Sequence, residues 1–109
     1  MIKSPIQGDI LLVNLSPTAG HEQKGTQPVL VVSNSDFNKK TQMCMITPIT
    51  STSKGYPFEV IVDSKKTSGV ILSDQIRTID YHARKAQKVD TVTKDCLTQT
   101  LKKISLIFS

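Results

Sequence analysis

Between Gly20 and Pro28 the chain reads Gly-His-Glu-Gln-Lys-Gly-Thr-Gln-Pro, which gathers the imidazole of His21, the carboxylate of Glu22, the ammonium of Lys24 and the amides of Gln23 and Gln27. An imidazole titrates near neutrality, and an adjacent carboxylate can accept a proton or hold the ring, so His21 and Glu22 have the makings of a proton-transfer pair. The bland alternative is two solvated side chains in a polar loop. Three further places carry chemistry-bearing groups. Thr50 opens the hydroxyl-rich segment Thr50-Ser51-Thr52-Ser53-Lys54-Gly55-Tyr56-Pro57; its hydroxyl can stabilise an anion, although loop threonines more often satisfy local backbone groups. Asp74 interrupts an apolar run, where a carboxylate either caps its own turn or accepts a proton. Lys54, Arg77, Arg84 and Lys85 are solvated charges taken singly, but as a set they can track a phosphate backbone. Tyr56 and Phe37 are the aromatics near polar loops that can stack on a nucleobase. His82 reads as a surface or partly packed histidine.

The elements that must position these groups follow from periodicity. Asp9–Leu15 and Val29–Ser33 are apolar, β-branched runs and predict two buried strands. The connection between them exceeds the usual hairpin of about two to five residues, and loops on a rigid scaffold are where binding concentrates. Ser35 is placed to cap a short helix from Asp36 to about Thr41. Met43–Ile49 is a third run, and Pro48 within it predicts an edge strand or one bent at its end. Phe58–Val62 predicts a fourth strand, and Val70–Ser73 with Gln75–Ile79 two short strands or one bent at Asp74. Tyr81–Val89 is polar and basic. The C-terminal helix is the clearest element: Thr93 as N-cap, Asp95 in the first turn, Leu97, Leu101, Ile104 and Phe108 on one stripe, and Val92 stapled against Leu97. Strands in succession followed by a helix predict an antiparallel barrel or curled sheet with the helix alongside. The stripe then needs cover from the sheet or from a second subunit.

Composition sets the outer bounds. A chain of 109 residues suits one domain spanning 1–109. Fourteen Lys and Arg against nine Asp and Glu give a net charge of +5, which favours an anionic partner, either nucleic acid or an acidic protein segment. Cys44 and Cys96 lie in apolar surroundings without metal-ligand spacing, so no disulfide framework, metal or other cofactor is expected. No apolar run approaches the ~20 residues that span a bilayer, and the N-terminal residues lack a signal-peptide core, so a soluble cytoplasmic protein is expected.

Several segments together resemble the MazF/PemK (Kid) family of toxins: Gly8-Asp9-Ile10, Pro17 to Gln23 with Gly25 and Pro28 beyond, Ser53 to Val60, Gly69-Val70 leading to Asp74-Gln75, and Arg77-Thr78-Ile79-Asp80 with Ala83-Arg84. The resemblance runs from about Gly8 to the terminal helix. It implies an SH3-like antiparallel β-barrel of the CcdB/MazF kind, with a short helix and a C-terminal helix, that forms a homodimer. It also implies a metal-independent endoribonuclease acting on single-stranded mRNA, inhibited by a cognate antitoxin whose disordered acidic tail fills the RNA groove. In such cleavage the substrate's own 2′-hydroxyl attacks the adjacent phosphate, so the protein must supply a base, an acid and positive charge. His21 and Glu22 match the family's loop residues, Thr50 the catalytic threonine of the MazF branch, and Asp74 the catalytic aspartate of the Kid branch. Lys24, Lys54, Tyr56, Arg77 and Arg84 fall where RNA would be held.

Two departures bear on activity. The family's loop ends Gly-x-Arg-Pro and this chain has Gly25-Thr26-Gln27-Pro28; the Kid-branch arginine two residues before the aspartate is matched by Leu72. Gln27 thus occupies the catalytic position without a charge, and weak or absent cleavage with RNA binding kept is the expectation. The competing readings are a non-catalytic binder of antitoxin and RNA, and a gyrase inhibitor of the CcdB type. The latter ends its helix with a tryptophan, which this chain lacks.

Overall fold

A computed structural model describes residues 3–15 and 25–109. His21, Glu22 and Lys24, and the middle of the connection that carries them, lie outside the described residues. Seven strands and two helices follow in chain order: β1 Asp9–Asn14, β2 Thr26–Val31, α1 Ser35–Thr41, β3 Cys44–Thr50, β4 Glu59–Ile61, β5 Val70–Leu72, β6 Arg77–Ile79, β7 Gln87–Thr91 and α2 Lys94–Ile107. The sheet runs β4-β5-β3-β2-β1-β7, with β6 also paired to β3, and every pairing is antiparallel.

Alternation along these strands makes two apolar faces, because successive side chains of a strand point to opposite sides. One face collects Ile10, Leu30, Val32, Ile49, Val60, Val62 and Ile71 with Val92 and Cys96, and Leu97, Leu101 and Ile104 of α2 pack onto it. The other collects Leu11, Val13, Val29, Val31, Cys44, Ile46 and Ile79, closed at one end by Tyr81 and Ala86. Both cysteines are buried and free, and burial pushes the Cys44 thiol up to about 12.

The fold is the expected one, mainly β with a short helix and a C-terminal helix, but the ladder does not close into a barrel. β4 and β7 are the two ends of the path. Between them there is no ladder among the described residues; the segment after β4 reaches the β7 end through the bridge Ser64–Val92, the bond from Thr93 N–H to the Asp63 carbonyl, and the bonds that Lys66 N–H and the Thr67 hydroxyl donate to the Asp90 carboxylate.

Four local expectations are corrected. The cap of α1 is Asn34, whose side chain accepts from Phe37 N–H, so the helix begins at Ser35. β3 is central rather than an edge, since its outer side is covered by β6 at Cys44–Ile46 and by β5 at Ile49–Thr50. Pro48 falls between those two partners, where its missing donor costs no ladder bond. The basic stretch contains β7, recruited by pairing with β1 across a bulge at Ile10/Leu11. At the C-terminus, Thr93 does cap α2, but Phe108 ends the helix 75% exposed and off the packed stripe.

Candidate functional site

β2 starts at Thr26, earlier than its apolar residues indicate, because Asn14 and Val13 of β1 pair with Thr26 and Gln27. Gln27 therefore sits on a strand and not in the connection. It belongs to the face of Val29 and Val31, and at its level the apolar filling of that face ends. There the face opens into a cavity of about 400 Å³ lined by Leu15, Gln27, Ile46, Pro48, Gln75, Ile76 and Arg77. Arg77 reaches it from β6, where it lies opposite Ile46. The register of β2 on β3, with Val29 opposite Pro48, carried two residues further brings Gln27 to the level of Thr50. Gln27 and Arg77 thus meet at one cavity from β2 and β6, whereas Thr50, at the end of β3, is not among the residues that line it.

The exposed Arg77 guanidinium makes one long contact, 3.5 Å to the Leu15 carbonyl. The ion pairs among the described residues are Lys40–Asp36 and Lys88–Asp9, so no carboxylate there neutralises it. Arg84 is used differently: it is half-buried and donates to the Asn14 carbonyl at 2.8 Å, fastening the end of β1 to the turn after β6. His82 faces Gln42 at 3.1 Å and tilts onto the Tyr81 ring, a packed surface histidine as its context predicts.

Thr50 ends β3, and its hydroxyl accepts from Thr52 N–H at 3.2 Å. Its carbonyl lies against Gly69, whose φ is +128° and whose added Cβ would stand 2.5 Å from the Thr50 oxygen. Gly69→Ala should therefore destabilise the fold by roughly 1 to 3 kcal/mol through strain and displacement of Thr50. The checking measurement is the urea midpoint, which should fall at unchanged slope.

The hydroxyl-rich segment 51–57 is exposed yet held at several points. The Glu59 carboxylate accepts from Lys54 N–H at 2.9 Å and the Ser53 hydroxyl at 2.7 Å, and these bonds, the backbone one first, hold its carboxyl below the usual range. The Lys54 ammonium is left exposed. Ser73, fully buried, gives both its N–H and its hydroxyl to the Phe58 carbonyl, and the Lys103 ammonium of α2 donates to the Pro57 carbonyl. Tyr56 donates its hydroxyl to Asp74 Oδ2 at 2.7 Å, and that bond, with the carboxylate's charge, raises the phenol's pKa. The positioning roles of Glu59, Ser73 and Lys103 have no sequence signature, since each acts across the fold. Gln75, the neighbour of Asp74 in the chain, lines the cavity with Gln27 and Arg77, while Tyr56 and Asp74 themselves do not. Among the described residues no cluster of three or more His, Cys, Asp or Glu side chains could hold a metal.

The family model for PemK-like, MazF-like toxins of type II toxin–antitoxin systems matches residues 6–108. The chain belongs to this family. Among MazF-like and PemK-like proteins, the endoribonuclease toxin MazF of Escherichia coli (strain K12) is 42% identical over 103 residues, covering 94% of this chain and 93% of that one. The crystal structure of MazF from Deinococcus radiodurans superposes with a TM-score of 0.85 at 36% identity, covering 99% of this chain and all of that one. A crystal structure of a MazE–MazF complex from the same organism matches with a TM-score of 0.85 at 29% identity, covering 99% and 98%.

Proposed function

We propose that this MazF/PemK-like toxin is a sequence-specific endoribonuclease that cleaves single-stranded mRNA without a metal, and that Arg77 supplies the positive charge its relatives place at position 27. The supporting observation is the shared cavity: a guanidinium with no carboxylate partner among the described residues and the Gln27 amide line one opening in the sheet face. RNA phosphate there meets a cation from β6 and amide donors from β2, and Thr50, Lys24, Lys54 and Arg84 are further contributors carried over from the family resemblance. The 2′-hydroxyl attacks the adjacent phosphorus, the 5′-oxygen leaves, and the products carry a 2′,3′-cyclic phosphate and a 5′-hydroxyl. His21 and Glu22, carried over from the family resemblance, are the proton-transfer pair. Gln27 stabilises the transition state less than a cation would, so cleavage is slow.

The partner is an antitoxin with an acidic, disordered tail, consistent with the net charge of +5 and with the MazE-bound relative. A homodimer covers the exposed Ile61, Leu106, Ile107 and Phe108. No helix among the described residues is long and apolar enough to cross a membrane, and the cytoplasm, where mRNA is, is the proposed location.

The test is incubation with end-labelled single-stranded RNA in excess EDTA. Slow cleavage at a short sequence, with 2′,3′-cyclic phosphate ends, is expected. Tight RNA binding with no cleavage at any protein concentration would instead support the non-catalytic binder.

A further inference from the structure

A general base must present an oxygen within reach of the substrate hydroxyl. Both oxygens of Asp74 are otherwise disposed. Its turn is closed by Gln75 N–H on the Leu72 carbonyl, one carboxylate oxygen is buried and unpartnered among the described residues, and the other accepts the Tyr56 hydroxyl at 2.7 Å. The tyrosine is the exposed partner: the residue is 45% accessible, its ring leans on Phe58 at 6.0 Å, and its hydroxyl hydrogen is committed to Asp74. A ring fixed in this way meets an incoming base with little ordering left to lose.

We propose that Tyr56 is a substrate-recognition residue that stacks an unpaired RNA base on its ring, and that Asp74 is the positioning residue that fixes it rather than the acceptor of the 2′-hydroxyl proton. This rests on the RNA-cleaving reading above. The other ionisable groups on the elements around the pair are Lys54, Glu59, Arg77 and Lys103. Lys54 N–H and Glu59 bond each other, Lys103 is occupied by Pro57, and no ion pair joins any of the four to Asp74 among the described residues.

The first arm needs no RNA. Following phenolate absorbance, Asp74→Asn should move the ionisation of the exposed tyrosine to lower pH, because the lost carboxylate stabilised the protonated phenol. An unchanged curve overturns the pairing.

The second arm measures affinity for a single-stranded RNA carrying a 2′-deoxy residue at the cut site, with cleavage of the all-ribose strand alongside. Tyr56→Leu should weaken binding by about 10- to 100-fold through lost stacking. Tyr56→Phe and Asp74→Asn should each raise KM by about tenfold at nearly constant kcat, with the double variant no worse than either alone. The acid limb of the pH profile should be the same in wild type and Asp74→Asn. The proposal is overturned if Asp74→Asn loses kcat by about 10³ while Tyr56→Phe does not, or if Tyr56→Leu binds RNA as tightly as wild type. Wild-type protein that neither binds nor cuts RNA overturns the underlying function and the recognition role with it, and the titration still decides whether Asp74 holds Tyr56.

Discussion

Gln27→Arg is expected to raise metal-free RNA cleavage by a factor on the order of 10² to 10³, corresponding to about 3 to 4 kcal/mol of added transition-state stabilisation. Geometry is the first reason. Position 27 lies on β2, opposite Val13, and its side chain lines the cavity together with Arg77. A guanidinium there projects from a strand clamped on its β1 side and needs no rearrangement to face phosphate. The second step is electrostatic. During attack negative charge grows on the non-bridging oxygens, and a guanidinium offers that charge a full positive charge and two parallel N–H donors where the amide offers a dipole alone. The gain should therefore appear in kcat more than in KM. Gln27 is half-buried at the rim of the face, so the longer side chain has open space, and the urea midpoint should stay within about 0.5 kcal/mol of wild type. A stable variant with an unchanged cleavage rate would remove the lost-cation argument.

The parts of this molecule that were legible in its sequence are those fixed by local rules. Thr93 caps α2 and Leu97, Leu101 and Ile104 bury one side of it, because capping and helical spacing are properties of a short stretch. The strands with β-branched runs fall on those runs, although β2 reaches back to Thr26 and stops at Val31. What was not legible depends on neighbours far along the chain. β7 is a polar segment made into a strand by β1, and Pro48 is tolerated in a central strand because two partners divide its outer side. Asn34 rather than Ser35 caps α1, a shift of one residue between two good capping types. The candidate site divides the same way. Gln27 and Arg77 were recognisable as residues, but 50 positions apart nothing showed that they share a cavity. Asp74 was recognisable as a carboxylate breaking a strand, while its attachment to Tyr56, 18 residues earlier, is a tertiary contact. The proton-transfer pair His21–Glu22 and Lys24 rest on the family resemblance, since they lie outside the described residues.

Arg77→Ala carries the complementary prediction: cleavage should fall by a factor on the order of 10² to 10³, to background for a protein already lacking a cation at position 27. The fold should survive, because Arg77 is exposed and its side-chain hydrogen bond among the described residues is the long one to the Leu15 carbonyl. β6 retains its pairing with β3 through Thr78 and Ile79. Three further observations separate a catalytic charge from a merely attractive one. Arg77→Lys keeps the charge without the planar fork and should recover part of the rate, whereas a structural role would leave it no better than alanine. The salt dependence of RNA binding should lose about 0.7 in log–log slope for the one phosphate contact removed from a single strand. Finally, Gln27→Arg placed in the Arg77→Ala protein should restore cleavage well above background, because either side of the cavity can then deliver the cation to the same phosphate. If that double variant stays inactive while Gln27→Arg alone is fast, Arg77 is needed for something other than its charge, and the shared-cavity explanation of this family member's chemistry fails.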